Sequence, residues 1–483
     1  MVNASDPAPI QYVIQEDGFW YVASKDRTPG VPEITVSAKG VANGLSTEYN
    51  DGYDFGPDSY DPTSTANPPY TQTSGIQEAM NYAKNNNNAI ELTSGAFNIY
   101  NTILIDSPGI IIHGQGETGK NQPGTQIAVQ SSGIDAIDID VSSGDVSNIQ
   151  IYGFRIVFTT STTGHGINVI NGNSNGASLN VSIFHNISVH NVDASHYAYN
   201  LPYFLFCVFN FLNAYNCGGF INIGSSSNTV ADTSGNSVFI ECKDGIPNSP
   251  TVPILNINGG VSAGTQLLQF LRLEISGQLN GQPAISVSNA DRLNFLTAIL
   301  EDDDTSGTYI GIETNNVQNT EFSNLGFNSA GEGAQINISN SSFITFRNVT
   351  PADSTSPITT LSTTSSNYIF YHGNVGAITF SGTGIFIKDS NFYSSTDGTT
   401  AGTVSQYMPE VSSVYKKSIF VFNGYENDTT TNQTIDFPIA FSTIAGITAN
   451  TTGLTISATT SGITITSPDS TSTYNGVVIV EGY

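Results

Sequence analysis

Five carboxylates, Glu241, Glu274, Glu301, Asp302 and Asp303, follow two to eight residues behind the phenylalanines at 239, 270 and 295. If those phenylalanines stand above one another on successive strands, the acids fall on neighbouring strands, about 4.8 Å apart. Carboxylates about 5 to 10 Å apart are what glycoside hydrolysis uses, one as acid and one as base or nucleophile. Glu274, Glu301, Asp302 and Asp303 are therefore the catalytic candidates if this chain cleaves a saccharide. Arg272 and Arg292 lie close by in sequence and complete a conceivable groove. The competing reading is that charges at strand ends simply face water, since an acidic chain yields such clusters without selection.

Other motifs carry less. Gly114-x-Gly116-x-x-Gly119 spells a dinucleotide-binding loop, but Pro123 and Gly124 break the helix that would have to hold the phosphate. The glycines are expected to turn the chain at a corner, and no cofactor is expected. His185, His190 and His196 are spaced by five and six residues, which fits no helical or hairpin metal site. Asp51, Asp54, Asp58 and Asp61 lack EF-hand spacing and read as a solvated connector. No metal is expected. Cys207, Cys217 and Cys242 form no CxxC pair and are expected as buried thiols, with one disulfide as the alternative.

The elements that position these residues are short strands. The chain of 483 residues is 11% charged, rich in Gly, Ser, Thr and Asn, and lacks long helical periodicity. Its 13 Lys and Arg against 40 Asp and Glu give a formal charge of −27, which disfavours nucleic acid as a partner. Few bases also limit self-repulsion in acid, where most carboxylates approach neutrality. Nine Asn-x-Ser/Thr sequons occur, a number that this composition supplies unselected. The first residues have no basic and apolar leader, and the most apolar window, from Leu201, is too short to span a membrane. An extracellular composition without a leader points to a removed signal or to export within a virus particle.

Residues 1–49 contain a β-hairpin around Asp17-Gly18, and 50–73 an acidic loop. A helix is predicted from Ser74, with Gln77 completing a capping box and Ile76, Ala79, Met80 and Ala83 on one face. Beyond it, Ile151, Ile183, Phe209, Phe239, Phe270, Phe295, Phe322, Phe346 and Phe370 recur every 24 to 32 residues in strand contexts. Such spacing predicts a solenoid over 74–397 with one ring per coil stacked along its axis. The helix would cap its open edge. Residues 398–417 read as a linker, and 418–483 as a small β-sandwich.

The segment from Ser74 to Ile127, with its helix, apolar strand, Gly95-Ala96-Phe97 turn and Gly-x-Gly corner before Thr125 and Ile127, resembles the N-terminal cap of pectin-lyase-like right-handed parallel β-helices. Residues 433–483 are similar to distal modules of viral tail fibres. The resemblance implies an all-β parallel β-helix of tailspike type. It also implies sugar-degrading relatives, but fold alone does not give function. Gly164-His165-Gly166 matches one polygalacturonase motif but precedes Asp302-Asp303, the wrong order, so His165 is expected as a turn residue. The expectation is a virion-surface attachment protein of an archaeal virus, binding a host surface glycan or glycoprotein. It would contact other virion proteins and form a homotrimer through 418–483, without inserting in a membrane. The alternative is a polysaccharide lyase or glycoside hydrolase.

Overall fold

The structure, a computed structural model, describes the strands 11–16, 19–24 and 33–36, and residues 73–351 apart from 75, 78, 81–83, 85–88, 117–123, 160–162, 173–176, 225–233, 246–248, 261–264, 303–308 and 330–333. Beyond them it describes 360–364, 368–373, 378–380, 385–392, 403–411, 416–426, 433–436, 441–451, 455–466 and 473–483. The Asp51–Asp61 loop and Asp303 lie outside the described residues. The chain is all-β and built on a large parallel sheet. It divides into two compact units, Met1–Gln282 and Pro283–Tyr483. The division falls within the span 74–397.

In the first unit, Gln11–Glu16 and Phe19–Ser24 pair antiparallel as the Asp17-Gly18 signal predicts. Glu33–Val36 then pairs parallel with Ala89–Leu92. From there each strand lies parallel to one in the next repeat. Ile90, Ile112, Ile151, Phe184, Phe209, Phe239 and Phe270 are consecutive register partners, and all are buried. The rings of Phe209, Phe239 and Phe270 stack 4.5 Å apart and nearly parallel. The expected rung at Ile183 is corrected by one residue. Phe184 faces inward, while Ile183 is 45% exposed.

Helical backbone among the described residues is confined to Ile76, Gln77, Ala79, Met80 and Lys84. The predicted capping box is not formed as drawn. Ser74 has φ 51° and donates to Asn98 O, while Thr73 Oγ1 accepts the Gln77 N–H at 3.1 Å. The Gln77 amide instead bonds the backbone of Leu104 in both directions. At the glycine-rich corner, a side chain on Gly114 would stand 2.5 Å from Gly153 O, and Gly116 has φ 96°. The loop thus needs glycine for close approach and for a left-handed turn. Many other left-handed corners use asparagine, including Asn148, Asn186, Asn191 and Asn216. This accounts for part of the Asn content, since Asn tolerates that conformation better than most residues. All three cysteines are buried free thiols, with burial pushing Cys207 and Cys217 up to about 12.

In the second unit, Phe295, Phe322 and Phe346 are register partners stacked 4.6 and 5.2 Å apart. The next partner of Phe346 is Tyr371, not Phe370, which pairs with Thr345. The expected linker contains the strand Thr403–Val411, paired antiparallel with Ile385–Phe392 and Lys416–Glu426. Lys416–Glu426, Thr473–Gly482 and Ile444–Thr451 continue antiparallel, and Gln433–Asp436, Gly462–Thr466 and Thr455–Ala458 form a second sheet. Phe441, Ile463, Ile465, Val478 and Val480 form a buried cluster there.

Candidate functional site

One face of the first unit combines a regular polar ladder with a cleft. Its strands are Ile137–Asp140, Ile167–Ile170, Tyr197–Leu201, Gly219–Gly224 and Leu255–Asn258, stacked parallel. Side chains alternate along each strand. Ile137 and Ile139, Ile167 and Val169, Tyr199 and Leu201, Ile221 and Ile223, and Leu255 and Ile257 enter the core. Between each pair stands one polar residue, and these are register partners: Asp138, Asn168, Asn200, Asn222 and Asn256.

The amides form a directed chain. Asn256 Nδ2 donates to Asn222 Oδ1 at 2.7 Å, Asn222 to Asn200 at 2.6 Å, and Asn200 to Asn168 at 2.7 Å. Asn168 Nδ2 in turn donates to Asp135 Oδ2 at 2.6 Å. Aligned hydrogen bonds of this kind polarise one another. Here they present their positive end to Asp135.

This ladder floors a cleft of about 570 Å³, with Tyr197, Pro202 and Tyr203 among its lining residues. The Tyr203 ring lies against Gly172, where a Cβ would collide with it, and Tyr197 covers Gly219 in the same way. Glycine under each tyrosine is thus what lets the rings lie down beside the amides.

At the Asn168 end the site becomes acidic. Asp135 accepts the His165 backbone N–H at 2.6 Å as well as the Asn168 amide. Asp138 is hydrogen-bonded to Asp135. Burial, then the neighbouring Asp135 charge and that hydrogen bond, push Asp138 up to about 8. Asp138 therefore keeps its proton at neutral pH. His165 Nδ1 accepts the Tyr197 N–H at 3.0 Å, which puts its ring proton on Nε2. Burial lowers its pKa, outweighing the opposing Asp135 charge. His196 packs edge-on at 4.8 Å from His165 and pairs with Asp193 at 2.6 Å. Asp193 is held below the ordinary carboxylate value, since His196 and Ser195 outweigh its burial.

The acids singled out in the sequence stand elsewhere. Glu274 pairs with Lys243 and, at 3.7 Å, with Arg272, which also meets Glu241 at 3.4 Å. Glu301 and the buried Asp302 belong to the second unit. Burial first, then their charges, raise the pKa of Tyr309, whose hydroxyl donates to Leu300 O. Arg292 pairs with its neighbour Asp291. His185 contacts Asn210 and Phe211, and His190 contacts Ser188 and Tyr215, so these two have separate surroundings. Among the described residues no cluster of His, Cys, Asp or Glu is arranged to hold a metal. No helix among them is long and apolar enough to cross a membrane.

Asp135, Asp138 and the amide ladder were not singled out in the sequence. Their signal was an Asn between two apolar residues, recurring in Ile167-Asn168-Val169, Tyr199-Asn200-Leu201, Ile221-Asn222-Ile223 and Leu255-Asn256-Ile257.

No protein-family model and no curated protein matches the chain. Among solved structures it is similar to the ORF18 protein of Geobacillus virus E2 (12% identity, 87% of this chain and 78% of that one, TM-score 0.45). It is similar as well to a DFA-IIIase from Arthrobacter chlorophenolicus A6 without its lid, in complex with GF2 (12% identity, 70% and 80%, TM-score 0.34). A third is the tailspike protein gp49 of Acinetobacter baumannii bacteriophage Fri1, a capsular polysaccharide depolymerase (13% identity, 96% and 92%, TM-score 0.27).

Proposed function

We propose that this chain is a virion-surface protein that binds a host surface polysaccharide along the asparagine ladder. The observation that carries the reading is the cleft itself, where amides repeat once per strand beside Tyr197 and Tyr203. Hydroxyls match amides, and the apolar faces of sugars match aromatic rings. In this reading the parallel strands wind as a right-handed β-helix, with the helical segment around Ile76 over its first turn. Residues 418–483 form the fibre tip, and the virus is one of archaea. Replacing Tyr203 by Ala, or Asn200 and Asn222 together by Leu, is expected to weaken retention on host-cell glycan at least about tenfold, because each removes contacts of roughly 1 kcal/mol or more. Unchanged retention by both variants would exclude the cleft.

Cleavage of the bound chain is a second reading, favoured by the proton that Asp138 keeps beside Asp135. Carboxyls that hydrogen-bond each other are closer than the roughly 5 Å minimum of hydrolysing pairs. They act as one donor: Asp138 protonates the glycosidic oxygen, the C–O bonding electrons leave with that oxygen, and water adds at the carbon and returns its proton to the Asp138 carboxylate. Loss of glycan cleavage in Asp138→Asn, with binding retained, is the expected sign, and wild-type cleavage declines as pH rises through about 8. If Glu274→Gln abolishes cleavage instead, Glu274 is the acid; if Glu301→Gln does, the acids Glu301, Asp302 and Asp303 are the centre.

The homotrimer is proposed on residues 418–483. Two of its apolar residues, Val478 and Val480, are taken up by the module's own core, which leaves Val477 and Ile479 on the other side of the strand. Sedimentation of the full chain is expected to give a trimer that Val477→Glu with Ile479→Glu dissociates. A monomeric parent removes the proposal.

A further inference from the structure

We infer that the cleft selects a neutral, hydroxyl-rich saccharide over a uronic-acid polymer. The inference rests on the cleft being a saccharide site and adds the class of saccharide.

The first argument is the hydrogen-bond inventory of the rungs. A carboxamide has two N–H donors and two principal lone-pair directions. Within the ladder Asn200 and Asn222 each give one N–H to one neighbour and accept one from the other. Each of these two rungs therefore retains a donor and an acceptor. A sugar hydroxyl, itself donor and acceptor, satisfies both at once. A carboxylate accepts only, and it would set its lone pairs against those of the amide oxygen.

The second argument is charge. The residues lining the cleft include no Lys, Arg or His to neutralise an anion. Its Asn168 end closes on Asp135, and Asn171 donates to Asp140 at 3.1 Å. Asp140 keeps its charge because the Ser142 and Asn171 hydrogen bonds outweigh its burial. Arginine and lysine are what bind carboxylates with geometric fidelity, and the acidic groups bonded to this cleft's lining are Asp135 and Asp140 instead. The whole chain, at −27, repels a polyanion at longer range.

The third argument is spacing. The rungs rise about 4.8 Å per strand, roughly the length of one pyranose, so a linear glycan along the ladder meets an amide at each sugar. A uronate polymer in that position would repeat its mismatch at every rung.

The test uses the full chain on immobilised oligosaccharides, each uronic-acid oligomer paired with its carboxyl-reduced counterpart. Retention is expected to be at least about tenfold stronger on the reduced member of a bound pair, given that like charges brought together cost several kcal/mol. Tyr203→Ala is expected to abolish it. Asn222→Lys, placing a cation at the central rung, is expected to move the preference toward the uronate member, with thermal unfolding confirming a folded variant. Stronger retention on uronates, lost in Tyr203→Ala, overturns the inference and leaves the cleft as the site. Retention indifferent to Tyr203→Ala, or no retention on any member, overturns the underlying reading as well.

Discussion

Replacing Asp244 by valine is expected to stabilise the first unit at pH 7 by about 2 to 4 kcal/mol and to flatten its pH dependence. Asp244 is fully buried, and neither carboxyl oxygen has a hydrogen-bond partner. Its register neighbours are Ala214 and Ile275, in a column that runs Phe97, Ile127, Ile156, Val189 and Ala214 before it. Burial raises its pKa well above the ordinary carboxylate value. Below about pH 4 both folded and unfolded chains hold the proton, and the residue adds no pH dependence. As pH rises past that point the unfolded chain releases its proton while the folded one keeps it. Stability then falls by about 1.4 kcal/mol per pH unit until the folded group also ionises. Asp244 therefore makes this unit an acid-favoured fold. The net charge of −27 also relaxes in acid, so the informative quantity is the difference between variant and parent. Calorimetry at pH 4 and pH 7 is expected to show a gap in unfolding temperature that widens with pH. A variant that melts below the parent at pH 7 would mean that Asp244 serves a partner.

Nothing in the sequence singles out Asp244. Within Glu241-Cys242-Lys243-Asp244-Gly245 it reads as a solvated turn, and only the register with Ala214 puts it inside. The aromatic ladder was far more legible, because Phe209, Phe239 and Phe270 recur at the repeat length. Reading failed at Ile183 and Phe370, where the neighbours Phe184 and Tyr371 are equally suited to the rung. A one-residue slip reverses every facing, and local sequence offers no tie-break between two adjacent apolar residues. The candidate site was half legible for the same reason. Asparagine between apolar residues marks an outward polar position, but the bond from Asn200 to Asn168 spans 32 residues, and that from Asn222 to Asn200 spans 22. Unequal coils hide such a ladder from any fixed period. Asp138 keeps its proton chiefly because it is buried beside Asp135, and nothing local in the sequence marks it as buried. Glu274, by contrast, had a suggestive spacing, yet Lys243 and Arg272 stand against it in the folded unit.

Phe239→Ala is expected to cost about 3 to 5 kcal/mol, the largest loss from any single substitution considered. Its ring is sandwiched between Phe209 and Phe270, each at 4.5 Å and tilted by no more than 10°, while Phe204 meets it edge-on at 6.1 Å. Truncation removes a fully buried side chain and opens a cavity that two parallel rings cannot close, because each is fixed by its own strand. Two stacked contacts worth roughly 0.5 to 1.5 kcal/mol apiece are lost in addition to the area. Phe239→Leu fills most of the space and is expected to cost distinctly less. Phe206→Ala is the control: Phe206 is 59% exposed at a left-handed corner and has little burial to lose. Because neighbouring strands in such a stack support one another locally, the damage is expected to concentrate near the cavity. Hydrogen exchange would register it as lost protection in Val208–Tyr215 and Thr265–Phe270, the strands on either side. Uniform loss across the first unit would mean that the stack melts as one cooperative body. Equal tolerance of Phe239→Ala and Phe206→Ala would mean that the ladder does not hold the fold together.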